Sequence, residues 1–210
     1  GGQQIILFNG KDSHEFTCQI EFARKAVSAI PLVMTEKKLE SPIHSTLIQA
    51  LGKPEHIDFI VQKSTELGVN KITLFNSERT QHHLKAERLQ KKLEHWQGIM
   101  ISACEQCGRN TLPEIEFITG LECALKSSPA SDKILLDFAG AGFQQISSKF
   151  DSGNSFVMLI GAEGGLSETE IQQASQAGFI PCRMGPRVLR METAAIAILA
   201  LVQHQFGDMS

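Results

Sequence analysis

The segment LIGAEGGLSETEI, residues 159–171, closes an apolar run, turns on Gly161, Gly164 and Gly165, and opens a helix. Ser167 and Glu170 stand at capping-box spacing, so the helix satisfies its own first amides and needs no ligand to do so. The turn lacks the lysine and Ser/Thr of a phosphate-cradling loop and is not G-x-G-x-x-G. It carries Glu163, which would repel a di- or triphosphate. A ligand held here is expected to be uncharged or positive near that carboxylate and to be read through backbone amides. Taken alone, the loop is equally a tight strand–helix turn.

Around it the chain alternates strands and helices. STLIQAL (45–51), KITLF (71–75), KILLDF (133–138), FVMLIG (156–161) and FIPCRMG (179–185) are apolar runs of strand length. Between them helices are predicted over 56–67, stopped by Gly68, over 86–107, stopped by Gly108, and over 167–177, with a last one over 192–206. That rhythm predicts an α/β fold, a mainly parallel sheet with helices on both faces. Residues 3 to about 40 read instead as three short strands, IILF, FTCQIEF and AVSAIPLVM, with the turn NGKDS after the first. The polar segment TEKKLESP (35–42) is the expected linker. The chain opens on Gly-Gly and enters QQIILFNG as if mid-sheet, so further residues are expected upstream.

At 210 residues and 42% hydrophobic, the chain can bury one good-sized core with a small extra domain. A net charge of −3 excludes binding to nucleic acid through bulk charge, so any such partner needs a local basic patch. Five scattered cysteines suit a reducing cytoplasm. The longest apolar run, 194–202, is far short of the roughly 20 residues that span a bilayer, and no membrane partner is expected.

A second polar, glycine-bearing loop follows the last predicted strand: MGPRVLRMETAA, 184–195. Pro186 stiffens the turn, two arginines follow it before Met191, and Glu192 opens a helix whose dipole favours a carboxylate there. Two such loops at the carboxyl ends of neighbouring strands are where open α/β sheets bind ligands. Together, LIGAEGGLSETEI and GPRVLRMETAA resemble the hallmark loops of the RsmE family, bacterial 16S ribosomal RNA uridine-N3 methyltransferases of the SPOUT superfamily. VQKSTELGV (61–69), SERT (77–80) and SACEQCGR (102–109) resemble that family's other signatures, in order. Ala162 and Met191 stand where the family usually has Pro and Thr.

The resemblance implies an incomplete PUA-like β-barrel over 1–42 and a SPOUT methyltransferase domain over 43–210, with a C-terminal trefoil knot and a homodimer joined across it. It implies S-adenosyl-L-methionine as cofactor, held by Leu136, Gly161, Glu163, Gly164, Gly165, Met184, Gly185, Val188 and Leu189, and no metal. The sulfonium cofactor suits a glycine loop with a glutamate and no lysine. The implied substrate is 16S rRNA, in the 30S subunit. Uridine N3 must lose a proton as it attacks the methyl group. Arg190 is expected to stabilise the uracil anion, with Glu192 holding that arginine or accepting the proton; a pair that only braces the loops is the alternative.

Arg79 and Arg109 are expected on the RNA, although Arg109 and Glu105 equally suit a helix end. From Arg79 to Arg109 there are six Lys/Arg against three Glu, a local basic face that a solvated amphipathic helix would also give. Lys63 and Glu66 are expected to pair with each other. Cys104 and Cys107 lack a second pair and a zinc-spaced histidine set, so packing is expected; His82, His83 and His95 read as surface. The last helix is apolar nearly all round and must be buried, in core alone or half in core and half in a dimer interface; the resemblance favours the second. Two other readings stay open: a SPOUT enzyme acting on another RNA such as tRNA, and a non-catalytic RNA-binding or ribosome-assembly factor.

Overall fold

A computed structural model describes residues 2–81, 83–126, 132–150 and 154–209; His82 lies outside them. The N-terminal part is an antiparallel meander, β1 (Gln4–Phe8), β2 (His14–Ala23) and β3 (Ala26–Glu36), in that spatial order. The rest alternates as expected. β4 (His44–Ala50), α1 (Pro54–Glu66), β5 (Lys71–Phe75) and α2 (Ala86–Cys107) come first. β6 (Glu114–Ile118), α3 (Leu121–Lys126), β7 (Asp132–Gly142) and α4 (Phe143–Ser147) follow, then β8 (Ser155–Ile160), α5 (Glu168–Gln176), β9 (Ile180–Arg183) and α6 (Met191–Phe206). The six strands from β4 onward form one sheet in the order β6-β5-β4-β8-β7-β9, every pair parallel.

The central strands read as continuous apolar runs because both faces of the sheet are covered. On β4, Leu47 packs into one core cluster and Ile48 into the other; on β8, Val157 and Leu159 face the side opposite Met158 and Ile160. Side chains of α1, α2 and α6 fill the first cluster, and α3 and α5 cover the second. On α6, Ala195, Ile198, Leu199 and Val202 are buried. No described helix is long and apolar enough to cross a membrane.

Helix ends follow local rules. Pro54 starts α1 two residues earlier than the sequence reading, in the first position where a missing N–H costs nothing. Gly68, at φ +82°, ends it in a Schellman motif: its own N–H donates to Thr65 O and the Val69 N–H to Ser64 O. Gly178 does the same for α5. The segment joining the two sheets is pinned by Gln203 of α6, fully buried, which accepts from the Ser41 hydroxyl (2.7 Å) and donates to Leu67 O (2.9 Å).

One irregularity shapes the site. Both Leu136 and Ala141 of β7 pair with Cys182, so the residues between them leave the ladder as a bulge. That excursion carries Asp137 and Phe138 out over the carboxyl ends of the neighbouring strands.

Candidate functional site

Three segments meet at the carboxyl ends of β7, β8 and β9: the β7 bulge, the glycine loop after β8, and the loop from Met184 to Arg190. They enclose a cleft of about 590 Å³, a size suited to a small organic ligand. The glycine loop is built to bring backbone close to backbone. A Cβ on Gly161 would lie 2.7 Å from the Gly165 carbonyl carbon and 2.8 Å from the Leu166 nitrogen. Gly165, at φ +72°, closes the turn by donating its N–H to Ala162 O (2.8 Å). The expected capping box forms: the Ser167 N–H donates to Glu170 Oε2 (2.9 Å) and the Glu170 N–H to Ser167 Oγ (3.1 Å). The other oxygen of buried Glu170 accepts the Glu78 N–H (3.0 Å), which holds the SERT segment against the loop. From there the Arg79 guanidinium donates to Gly164 O (3.0 Å).

Of the residues assigned to cofactor, Leu136, Gly161, Glu163, Gly165, Met184, Val188 and Leu189 line the cleft, as do Arg190 and Glu192. Gly164 and Gly185 do not. Gly164 faces Arg79, and Gly185, at φ +86°, is the turn that brings its neighbours to the wall.

Glu163 does more than line the wall. Its Oε1 accepts the Lys53 N–H (3.0 Å) and lies 3.2 Å from His56 Nδ1, tying the loop to the first turn of α1. Burial pushes its carboxyl up, but the Lys53 amide, its own amide and His56 outweigh that and hold it below the usual carboxylate value. Gly52 permits this approach: a Cβ there would sit 2.7 Å from Glu163 Oε1 and 2.6 Å from Met191 Cε. Glu192, with its side chain 15% exposed, lies nearest His56 (Nδ1 to Oε2, 3.7 Å), and among the described residues it is not paired with Arg190, which is exposed at the N-cap of α6. That Oε2 is buried without a hydrogen-bond partner among the described residues.

Arg109 is a correction to the sequence reading. It is 4% exposed, with its donors committed inside the protein: Nη1 to Thr65 O (2.7 Å) and Val69 O (3.1 Å), Nε and Nη2 to the two oxygens of Glu40 (3.0 and 2.5 Å). With four of its five N–H donors so occupied and the side chain 4% exposed, this guanidinium is not a surface phosphate contact; it locks the linker to the C-terminal end of α1. Lys63 pairs with Glu66 at 2.8 Å, and Cys104 is buried in the core. His95 is exposed, but it bonds Asp58 at 2.8 Å.

The sequence reading missed the contribution of α1, namely Lys53 and His56, because nothing local links residue 56 to residue 163. It also missed Asp137, Phe138, Arg183 and Arg187 on the wall. For Phe138, 55% exposed, the available signal was an aromatic placed just past an apolar strand.

Residues 39–203 match the family model of an RNA methyltransferase domain. The ribosomal RNA small subunit methyltransferase E of Buchnera aphidicola subsp. Schizaphis graminum is 40% identical, over 99% of this chain and 84% of its own. The protein of that name from Bacillus subtilis is 30% identical over 97% and 82%. Among solved structures, the Neisseria gonorrhoeae ribosomal RNA small subunit methyltransferase E bound to S-adenosyl methionine superimposes with a TM-score of 0.88 at 37% identity, covering 100% of this chain and 86% of that one. A Legionella pneumophila methyltransferase in complex with bound cofactor SAM gives 0.90 at 39%, covering 99% and 85%. With these sequence and fold matches spanning nearly its whole length, the chain belongs to the ribosomal RNA small subunit methyltransferase E family.

Proposed function

We propose that the protein is an S-adenosylmethionine-dependent methyltransferase acting on N3 of a specific uridine in 16S rRNA, presented in the 30S subunit. The observation that carries this is the cleft where both glycine-bearing loops meet with Arg190 and Glu192 on its wall. The residues fit the cofactor: apolar Leu136, Val188 and Leu189 offer cover for a flat ring, and ionised Glu163 offers a counter-charge in place of a phosphate-binding lysine. Bound there, S-adenosylmethionine supplies a methyl group activated by the sulfonium. Arg190, exposed at the cleft mouth, orients the uracil and stabilises the charge developing on it. Glu192 Oε2, buried and without a donor among the described residues, accepts the N3 proton.

The same reading includes a trefoil knot in the C-terminal loops and a cytoplasmic homodimer joined over them; Val188, 86% exposed at the cleft, supports a covering partner. Residues 1–42 are read as PUA-like and as a contributor to RNA binding, with Arg79 beside the cleft as a phosphate contact. Methyl transfer from labelled cofactor to 30S subunits, bare 16S rRNA and tRNA, followed by mapping of the product, tests the proposal. N3-methyluridine at one 16S position is expected. Label in tRNA, or none in any RNA, overturns it, and sedimentation as a monomer overturns the dimer.

A further inference from the structure

We infer that His56 is a positioning residue for proton transfer: its Nδ1–H is held by Glu163, which leaves Glu192 Oε2 free to take the uridine proton. This rests on the base role proposed for Glu192. His56 sits in the first turn of α1 and lines the cleft between the two carboxylates. Its Nδ1 is 3.2 Å from Glu163 Oε1 and 3.7 Å from Glu192 Oε2. An ionised carboxylate only accepts, so the nitrogen facing Glu163 must carry the hydrogen. That hydrogen is directed to the nearer oxygen, already fixed by the Lys53 amide. Glu192 Oε2 is left near enough to be attracted by the N–H dipole and too far for it to occupy a lone pair. A buried carboxylate oxygen with no donor is costly, and the donor that relieves the cost is the N3–H of the incoming base.

The atoms balance. As N3 bonds to the methyl carbon and the sulfonium–methyl bond breaks, the N3 proton passes to Glu192 Oε2 and then to water, leaving the methylated base and a neutral thioether.

Long-range ¹H–¹⁵N spectra of the full chain, with the signal assigned by its loss in His56→Asn, read the tautomer directly: an Nδ1–H pattern is expected at pH 8, and an Nε2–H pattern overturns the inference. His56→Ala removes the Nδ1–H dipole that orients Glu192 Oε2 from 3.7 Å and should lower kcat for RNA methylation tenfold or more. Its calorimetric affinity for S-adenosylmethionine should stay within about threefold, since Glu163 keeps the Lys53 amide. His56→Asn, whose amide can donate to Glu163, should recover most of the lost rate. If His56→Ala retains kcat within twofold while Glu192→Gln is inactive, the role of His56 is refuted and that of Glu192 stands. If Glu192→Gln itself turns over normally, the base reading beneath the inference fails, whatever the tautomer.

Discussion

Replacing Arg109 with Met keeps an unbranched apolar stem and removes the guanidinium, which separates a structural role from an RNA role. Two carbonyls and one carboxylate lose a donor. Thr65 O retains the Gly68 N–H at 3.1 Å and is not orphaned, whereas Val69 O loses the donor at 3.1 Å. An unpaired buried polar group costs about 1–3 kcal/mol. Glu40 is 30% exposed at its side chain and rehydrates, so the loss falls below the ~3–5 kcal/mol of breaking a fully buried pair. The net expectation is about 3 kcal/mol, or a drop of roughly 6–12 °C in Tm for a chain of this size. Urea unfolding measures the stability loss, and the salt dependence of RNA binding measures any role on the RNA. Each phosphate contact contributes ~0.7–0.9 to the slope of log K against log salt. Arg79→Ala should reduce the slope by about one contact, and Arg109→Met should leave it unchanged. An Arg109→Met protein of parental stability with a flattened salt slope would refute the reasoning.

Gly161→Ala should fold but bind S-adenosylmethionine about tenfold more weakly or worse by calorimetry, because the new methyl meets loop backbone at 2.7 Å; Gly98→Ala, with nothing within 4 Å, should match the parent, and equal affinities in both variants would sink the close-approach account. Because Glu163 is held below its ordinary value, its stabilising contribution is complete above the unfolded value of about 4.3 and is lost as pH falls through the folded value. The stability gap between parent and Glu163→Gln in urea should therefore close as pH falls below the ordinary carboxylate value of about 4.3, and a gap independent of pH contradicts the assignment. Burial pushes the Cys104 and Cys182 thiols up to about 11. Iodoacetamide at pH 8 should therefore label exposed Cys123 in the native protein and reach the other two only in denaturant, as read by mass spectrometry.

What the sequence made legible was whatever local chemistry determines. Helix α2 runs over the expected residues because Gly108, at φ +84°, ends it, and the Ser167–Glu170 box forms because it spans a single turn. The reading failed where the signal is short or distant. β6, EIEFI, is a sheet-edge strand with alternating charge, and α3 and α4 are too brief to show a helical period. The β7 bulge arises from pairing with Cys182, more than 40 residues on, so a window over KILLDF could not reveal that Phe138 leaves the sheet. Likewise Glu40 and Arg109, or His56 and Glu163, meet only because α1 and the strands around it set their distance.

Glu163 has a part in the fold that its charge alone does not reveal. From sequence, its charge argued against a phosphate ligand and for one that is uncharged or positive near the carboxylate. In the fold, Oε1 is committed to α1, so the carboxylate is first a fastener for its own loop. The charge persists all the same, and with Glu192 it makes the interior of the cleft acidic. Lys53, Arg183, Arg187 and Arg190 are exposed around the same cleft and make its rim basic. On the proposed function this arrangement sorts the two substrates by charge. A polyanionic RNA is drawn to the rim over a distance of order the Debye length, about 8 Å in physiological salt, and is repelled from the interior. The sulfonium is attracted past the rim only by acids close at hand. The glycine loop thus selects its ligand through where its single carboxylate is anchored as much as through the lysine it lacks.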